Sequence, residues 1–110
     1  MIGIVYATRL EAGALLKRLG ATRCTRDPFE VYRFGSDGVV IISGMGKANA
    51  KAACTYLFDR FDITCVVNAG ICGALSDHIH PGDILRAKLA RDGDLEDAAP
   101  LELEMISGHT

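Results

Sequence analysis

Short apolar runs alternate along this chain with longer segments whose apolar residues recur at helical spacing. The runs are too short for helices and predict buried strands over residues 2–7, 39–42, 64–67 and 84–89. The longer segments predict helices over residues 10–19 and 48–58. This alternation is typical of an α/β protein, and the run at residues 2–7 is expected at the centre of the sheet.

One pair of strands interrupts the alternation. Residues 30–34 alternate in the manner of a half-buried strand, and Gly-Ser-Asp-Gly at residues 35–38 supplies a turn before the run at residues 39–42. The pair predicts a hairpin. The predicted order is therefore β-α-β-β-α-β-loop-β, with a mixed rather than a purely parallel sheet.

The character of the chain changes after Leu89. Residues 91–97 are polar and acidic, and Pro100 precedes a last short stretch at residues 101–106. We expect one α/β domain over residues 1–90, followed by an acidic linker and C-terminal tail over residues 91–110. The end of this tail is expected to be frayed or bound in an oligomer.

Composition narrows the classes of function. The 110 residues are 49% hydrophobic and carry a net charge of −2, which suits one modest core. Because there is no basic excess and no basic cluster interleaved with aromatics, nucleic acid is not an expected partner. No apolar run approaches a membrane span and no signal-peptide pattern opens the chain, so we expect a cytoplasmic protein without a membrane partner.

The cysteines show no Cys-x-x-Cys pair, and three of them lie in apolar segments. They are Cys24, Cys54, Cys65 and Cys72. We expect reduced cysteines that pack in the protein rather than disulfides or zinc ligands.

Two glycine-bearing turns after apolar runs are the strongest candidates for a binding site. Residues 43–47, Ser-Gly-Met-Gly-Lys, would present a helix N-terminus and Lys47 to an anion, although an ordinary strand-to-helix turn is an equal alternative. The spacing is not that of a P-loop, and Asn49 occupies the place of the third glycine of a dinucleotide fingerprint. Residues 68–75 offer a similar cradle, and an ordinary backbone bend is its alternative. Both turns are expected where open α/β sheets bind ligands.

Glu11 is the strongest catalytic candidate, because it lies one turn into the helix that follows the expected central strand. Thr8 and Glu11 also have the spacing of a capping box, in which each side chain binds the backbone N–H of the other residue. On spacing alone the cap is favoured over catalysis, and the two roles are compatible.

A polar loop contains two histidines that form a His-x-His pair. His78 and His80 lack a third metal ligand at a recognisable spacing, so solvated loop histidines are favoured over a metal site. Asp83, which follows Pro81 and Gly82, is expected to cap a turn.

Four motifs resemble those of the purine nucleoside phosphorylase and nucleosidase superfamily in order and spacing. They are Ala-Thr-Arg-Leu-Glu-Ala at residues 7–12, Ser-Gly-Met-Gly-Lys at 43–47, Asn-Ala-Gly-Ile-Cys-Gly-Ala-Leu at 68–75 and Pro-Gly-Asp-Ile at 81–84. The chain looks most like the methylthioadenosine/S-adenosylhomocysteine nucleosidases and the hopanoid-associated phosphorylase group. The resemblance covers about residues 1–89. It implies an α/β three-layer sandwich with a mixed sheet, nucleoside phosphorylase-like but truncated, since family domains are roughly twice as long.

The resemblance implies cleavage of the N-glycosidic bond of a purine nucleoside, by a nucleosidase or a phosphorylase. Glu11 matches the family glutamate that handles the attacking water, and Met45 matches a residue beside the nucleophile. Ile71, Cys72 and Gly73 match the segment that lines the base and ribose pocket. No cofactor or metal is implied, phosphate is the alternative co-substrate to water, and we expect a homo-oligomer.

Two departures from the family pattern shape these expectations. Asn68 occupies the position of a phosphate-binding Arg in hexameric phosphorylases, which favours hydrolysis. The second half of the family domain, with its ribose-binding Met-Glu pair and base-protonating Asp, has no counterpart here, and Glu102-Leu103-Glu104 is interpreted as a coincidence. Independent activity is therefore doubtful, and the alternative is a non-catalytic remnant that binds a small ligand or self-associates through its sheet edge.

Overall fold

The computed structural model describes residues 1–71, 77–78, 80–89 and 102–107. The elements in these residues are β1 (Ile2–Tyr6), α1 (Arg9–Leu19), β2 (Thr22–Thr25), β3 (Glu30–Phe34), β4 (Gly38–Ile42), α2 (Lys47–Arg60), β5 (Cys65–Asn68), β6 (Ile84–Leu89) and β7 (Glu102–Ser107). The chain divides into two units, Met1–Ile71 and Cys72–Thr110. The domain boundary at residue 90 stays a prediction.

The first unit is built on a five-stranded mixed sheet with the order β2-β3-β4-β1-β5. β1 pairs in parallel with β4 on one side and β5 on the other, so it is an interior strand, as predicted. β3 pairs antiparallel with both β2 and β4. The β3-β4 hairpin explains why the sheet is mixed, as the sequence predicts.

The two helices cover opposite faces of this sheet and complete three layers. On one face, Ala12 and Leu16 of α1 pack with Tyr32 and Val40. On the other face, Ala53 and Leu57 of α2 pack with Val31, Val39 and Ile41, and all five residues are fully buried. The alternation of side chains along β4 explains this arrangement, because Val39 and Ile41 face α2 while Val40 faces α1. The α/β sandwich expected from the sequence is confirmed.

The helix ends follow the chemistry of their terminal residues. α1 ends at Gly20, which has a φ of 61° and donates its N–H to the carbonyls of Leu16 and Lys17. In α2, Leu57 is fully buried, whereas Phe58 is 58% exposed. Adjacent helical positions point about 100° apart, so only one of the two faces the sheet. In the described part of the chain, neither helix is long and apolar enough to cross a membrane.

Two strands were not predicted from the sequence. β2 is a polar edge strand that hydrogen-bonds to β3 through an irregular register between Arg23 and Thr25. Its side chains are mostly exposed, so it has no apolar alternation that would reveal it. β7 lies within the segment interpreted as a frayed or oligomer-bound end, and it pairs antiparallel with β6 in the second unit.

The described cysteines are free but differ in their surroundings. Cys54 packs against the core beneath α2, as predicted. Cys24 and Cys65 are exposed rather than packed, because both lie on edge strands of the sheet. Cys72 lies outside the described residues.

Candidate active site at the carboxyl edge of the sheet

The carboxyl ends of β4, β1 and β5 meet at one edge of the sheet, because the three strands are parallel neighbours. Backbone hydrogen bonds continue the pairing into the following turns, from Ser43 N to Tyr6 O (2.8 Å), Gly44 N to Ala7 O (3.0 Å) and Ala69 N to Val5 O (2.9 Å). The first turn and the described start of the second, residues 68–71, therefore flank the end of β1. This is the edge at which open α/β sheets bind ligands.

The first turn leads directly into α2. Gly44 and Gly46 have φ values of 85° and 94°, which favour glycine over residues with a side chain. Met45 lies between them with its side chain 75% exposed, and its carbonyl accepts a hydrogen bond from the Asn49 side chain at 2.7 Å. Gly46 caps α2 without a side-chain hydrogen bond, and Lys47 is the first helical residue. Anion binding at this turn stays a prediction.

Ser43 is a buried polar residue that ties the first turn to β1. Its hydroxyl lies 2.8 Å from the Gly44 carbonyl and 3.4 Å from the Tyr6 carbonyl, with which its backbone N–H also pairs. The side chain is 6% exposed, and these contacts satisfy its hydroxyl. The role of Ser43 is therefore to hold the ends of β4 and β1 together.

Thr8 and Glu11 form half of the expected capping box. Thr8 is extended, with a φ of −131°, and its Oγ1 accepts the Glu11 N–H at 3.3 Å. The other half differs from the prediction, because the Glu11 carboxylate binds the Thr8 hydroxyl instead of the Thr8 backbone N–H. Thr8 Oγ1 donates to Oε1 of Glu11 at 2.8 Å.

The second carboxylate oxygen of Glu11 reaches the end of β5. Oε2 accepts the backbone N–H of Ile71 at 3.1 Å, so this oxygen binds the end of β5 while Oε1 stays on the helix cap. A Cβ at Gly70 would lie 2.9 Å from the same oxygen. Glu11 is half-buried and lies in the first turn of α1, where the helix dipole favours a negative charge.

The structure brings some of the sequence-predicted site residues together. Glu11 meets Ile71 through the backbone N–H of Ile71, whose side chain is 87% exposed. Met45 lies on the other turn at the same sheet edge, while Cys72 and Gly73 lie outside the described residues. Sequence reasoning missed the Thr8 hydroxyl as a donor to the carboxylate, although the spacing of the capping box had already paired the two residues.

The polar loop of the second unit contains a turn closed by Asp83. Its carboxylate accepts the His80 N–H at 2.8 Å, and its own N–H donates to the His80 carbonyl at 3.0 Å. The predicted turn cap is therefore confirmed. Among the described residues, no three His, Cys, Asp or Glu side chains are grouped to hold a metal ion.

Comparison with protein-family models gives one match that spans most of the chain. The model of the Phosphorylase superfamily matches residues 1–102. This range includes both glycine-bearing turns, Glu11 and the whole of β6.

Curated relatives narrow the similarity to nucleosidases. The chain is 33% identical over 91 residues to the 5'-methylthioadenosine/S-adenosylhomocysteine nucleosidase of Baumannia cicadellinicola, a match that covers 77% of this chain and 39% of that protein. It is 32% identical over 98 residues to the nucleosidase of the same name from Colwellia psychrerythraea, covering 86% of this chain and 40% of that protein. The chain thus spans about 40% of the length of these relatives.

Solved structures of such nucleosidases have the same fold over the matched region. The enzyme of Neisseria meningitidis, in complex with methylthio-immucillin-A, superposes with a TM-score of 0.65 at 26% identity, over 76% of this chain and 38% of that one. The Colwellia psychrerythraea enzyme, in complex with adenine, gives a TM-score of 0.66 at 32% identity, over 76% of this chain and 36% of that one.

Proposed function

Because the chain belongs to the phosphorylase superfamily, we propose that it contributes to cleavage of the N-glycosidic bond of a purine nucleoside, with Glu11 orienting the attacking water. The observation that carries this proposal is the Glu11 carboxylate, fixed at the carboxyl edge of the sheet by Thr8 and Ile71. The names of the relatives indicate 5'-methylthioadenosine and S-adenosylhomocysteine as the substrate class.

The geometry of Glu11 suits a group that receives a proton from water. Each carboxylate oxygen accepts one protein hydrogen bond and retains a further acceptor position. In the proposed step, the water oxygen forms a bond to the anomeric carbon and its proton passes to Glu11. The bond to the purine nitrogen breaks with its electron pair on the purine, which then takes up a proton from a separate acid.

Water is the proposed nucleophile rather than phosphate. Asn68 is the last residue of β5 and is uncharged, in the place where hexameric phosphorylases carry a phosphate-binding Arg. Phosphate remains the alternative co-substrate. The proposal includes no cofactor and no metal.

The proposed substrate-binding residues belong to the two glycine-bearing turns. The exposed Met45 side chain offers apolar surface beside the nucleophile. Ile71, Cys72 and Gly73 are proposed to bind the base and ribose because they match the family's pocket segment. Since the chain spans about 40% of its relatives, Glu11 is one part of a site, and we expect little or no activity from the chain alone.

The proposal also includes a cytoplasmic homo-oligomer. Exposed free thiols at Cys24 and Cys65 suit a reducing compartment. β5 is an edge strand of the five-stranded sheet in the described residues, and an edge strand suits association with a second copy.

Release of adenine tests the proposed function. The chain, in excess over methylthioadenosine or adenosine, is assayed with and without phosphate. It is assayed alone and in a mixture with a complementing fragment. This fragment is the part of the Colwellia psychrerythraea nucleosidase that the chain does not match. We expect adenine from the mixture without any need for phosphate. Absence of adenine under every condition would contradict the proposal, and dependence on phosphate would overturn hydrolysis.

A second candidate function is a non-catalytic remnant that binds a ligand or self-associates. The observation that favours it is β5, which lies at the edge of the sheet with Val67 44% exposed. The register of β1 and β5 places Ile2, which is 45% exposed, on the same face as Val67. An open edge with apolar side chains is a template for pairing with another copy.

Native mass and thermal stability distinguish this second candidate. A dimeric mass or a rise in melting temperature with methylthioadenosine, in either case without adenine release from the mixture with the complementing fragment, would support the remnant. A monomer whose melting temperature does not respond to the nucleoside would contradict it.

A further inference from the structure

The Glu11 carboxylate is held at both oxygens by groups from two separate parts of the chain. Thr8 Oγ1 donates to Oε1 at 2.8 Å, and the Ile71 N–H donates to Oε2 at 3.1 Å. We propose that Thr8 and Gly70 are positioning residues for Glu11. The Thr8 hydroxyl orients one oxygen, and Gly70 leaves room for the other against the Ile71 N–H. This inference rests on the proposed role of Glu11 in orienting water.

Gly70 is required for space rather than for backbone conformation. Its φ does not lie in the left-handed region, so an alanine could adopt the same backbone. The obstacle to a side chain is the Glu11 carboxylate, because a Cβ at Gly70 would lie 2.9 Å from Oε2. That oxygen is the far end of a flexible side chain, so an added methyl group would displace the carboxylate and leave the strand end in place.

Displacement of the carboxylate would weaken its bond to Ile71 first. The Ile71 N–H already lies 3.1 Å from Oε2, near the long end of the range for such bonds. A misplacement of about 1 Å at a reacting group can lower a rate by about 100-fold. We therefore expect Gly70→Ala to displace the Glu11 carboxylate while the protein still folds.

Thr8 combines two roles that substitutions can separate. Its hydroxyl accepts the Glu11 N–H and thereby caps α1. The same hydroxyl donates to the Glu11 carboxylate and thereby positions that carboxylate. Serine retains both roles. Aspartate caps helices well, but its ionised carboxylate has no proton to donate to Glu11. Thr8→Asp therefore removes the positioning role and keeps the cap.

The Ile71 amide reports the position of the carboxylate directly. Its hydrogen exchange rate is measured by NMR in the full chain, corrected for the change of neighbouring residue. We expect exchange at least about tenfold faster in Gly70→Ala and Thr8→Asp, because a hydrogen bond to a charged group is lost. Thr8→Ser should match the wild type. Gly13→Ala is the matched control, since an added Cβ there meets nothing within 4 Å.

Unchanged Ile71 exchange in Gly70→Ala, or the same acceleration in Gly13→Ala, would overturn the proposal. A second comparison uses Glu11→Ala with and without Gly70→Ala. Once the carboxylate is gone, alanine at position 70 should change neither the Ile71 exchange rate nor the melting temperature. If Gly70→Ala disrupts folding both with and without Glu11, the glycine is required for the backbone conformation and the proposal is wrong.

The adenine-release assay separates this inference from the proposed function. With the complementing fragment, Gly70→Ala should lower kcat by about 100-fold while Gly13→Ala does not. If the wild type releases no adenine, the proposed function fails. The Ile71 exchange rates still decide whether Thr8 and Gly70 position the carboxylate.

Discussion

The backbone N–H of Ile71 donates a 3.1 Å hydrogen bond to Oε2 of Glu11, which lies 60 residues earlier in the chain. This bond joins the end of β5 to the start of α1. The candidate base is therefore oriented by the sheet as well as by its own helix. A carboxylate held from two sides keeps its position when a substrate binds beside it, which is what orientation of a water molecule requires.

The packing of α2 depends on Leu57. This side chain is fully buried against the sheet, so Leu57→Ala should lower the free energy of unfolding by about 2–5 kcal/mol. Phe58→Ala is the matched control, because Phe58 is largely exposed and its loss should change stability by about 0.5 kcal/mol or less. Urea denaturation measures both values. Equal losses for the two variants would contradict the observed orientation of α2.

Ionisation of Tyr32 is expected to destabilise the fold at high pH. Burial, and secondly the hydrogen bond from its hydroxyl to Glu30, raise the pKa of Tyr32 above its ordinary value of 10.0. Between that value and the raised pKa, the unfolded chain has lost the phenolic proton and the folded chain keeps it. Stability is therefore complete below pH 10 and falls as the pH rises further.

Tyr32→Phe tests this pH dependence. The difference between the absorbance titrations of the wild type and the variant should have its midpoint above 10.0. The variant should also lose less stability than the wild type as the pH rises above 10.0. A midpoint at or below 10.0 would show that the folded protein does not disfavour ionisation of Tyr32.

The edge of β5 is expected to mediate any self-association. Val67→Lys places a charge on the exposed apolar edge, and charged edge residues oppose strand pairing. For the proposed dimer, native mass spectrometry should show a shift to monomer in this variant. Ser36→Lys adds the same charge in the exposed hairpin turn and should leave the mass distribution unchanged. A dimer that survives Val67→Lys would place the interface elsewhere.

β1 and β4 could be predicted because they are largely buried strands, and burial shows in the sequence as continuous apolar runs. The apolar run at residues 64–67 also identified β5, although this edge strand is mostly exposed rather than buried as predicted. Helical spacing identified α1 and α2. β2 was not predicted, because hydrogen bonds to β3 rather than buried apolar side chains hold this strand in the sheet.

The candidate site was predicted in its location and only partly in its contacts. The positions of Glu11 and of the two turns follow from the parallel strands, whose carboxyl ends share one edge. The bond between Glu11 and Ile71 could not be predicted, because a capping box offered the carboxylate a local partner. Only the three-dimensional approach of β5 shows that the second carboxylate oxygen takes a distant partner while the first keeps Thr8.

Adenine release by a Glu11 variant tests the central claim most directly. The wild type, Glu11→Gln and the exposed control Asp59→Asn are each mixed with the complementing fragment, and their rates with methylthioadenosine are compared at equal amounts of bound fragment. Glutamine cannot take a proton from water, so we expect Glu11→Gln to release adenine at least about 100-fold more slowly, with Asp59→Asn unchanged. A Glu11→Gln rate equal to that of the wild type would contradict the assignment of Glu11 as the group that orients the attacking water.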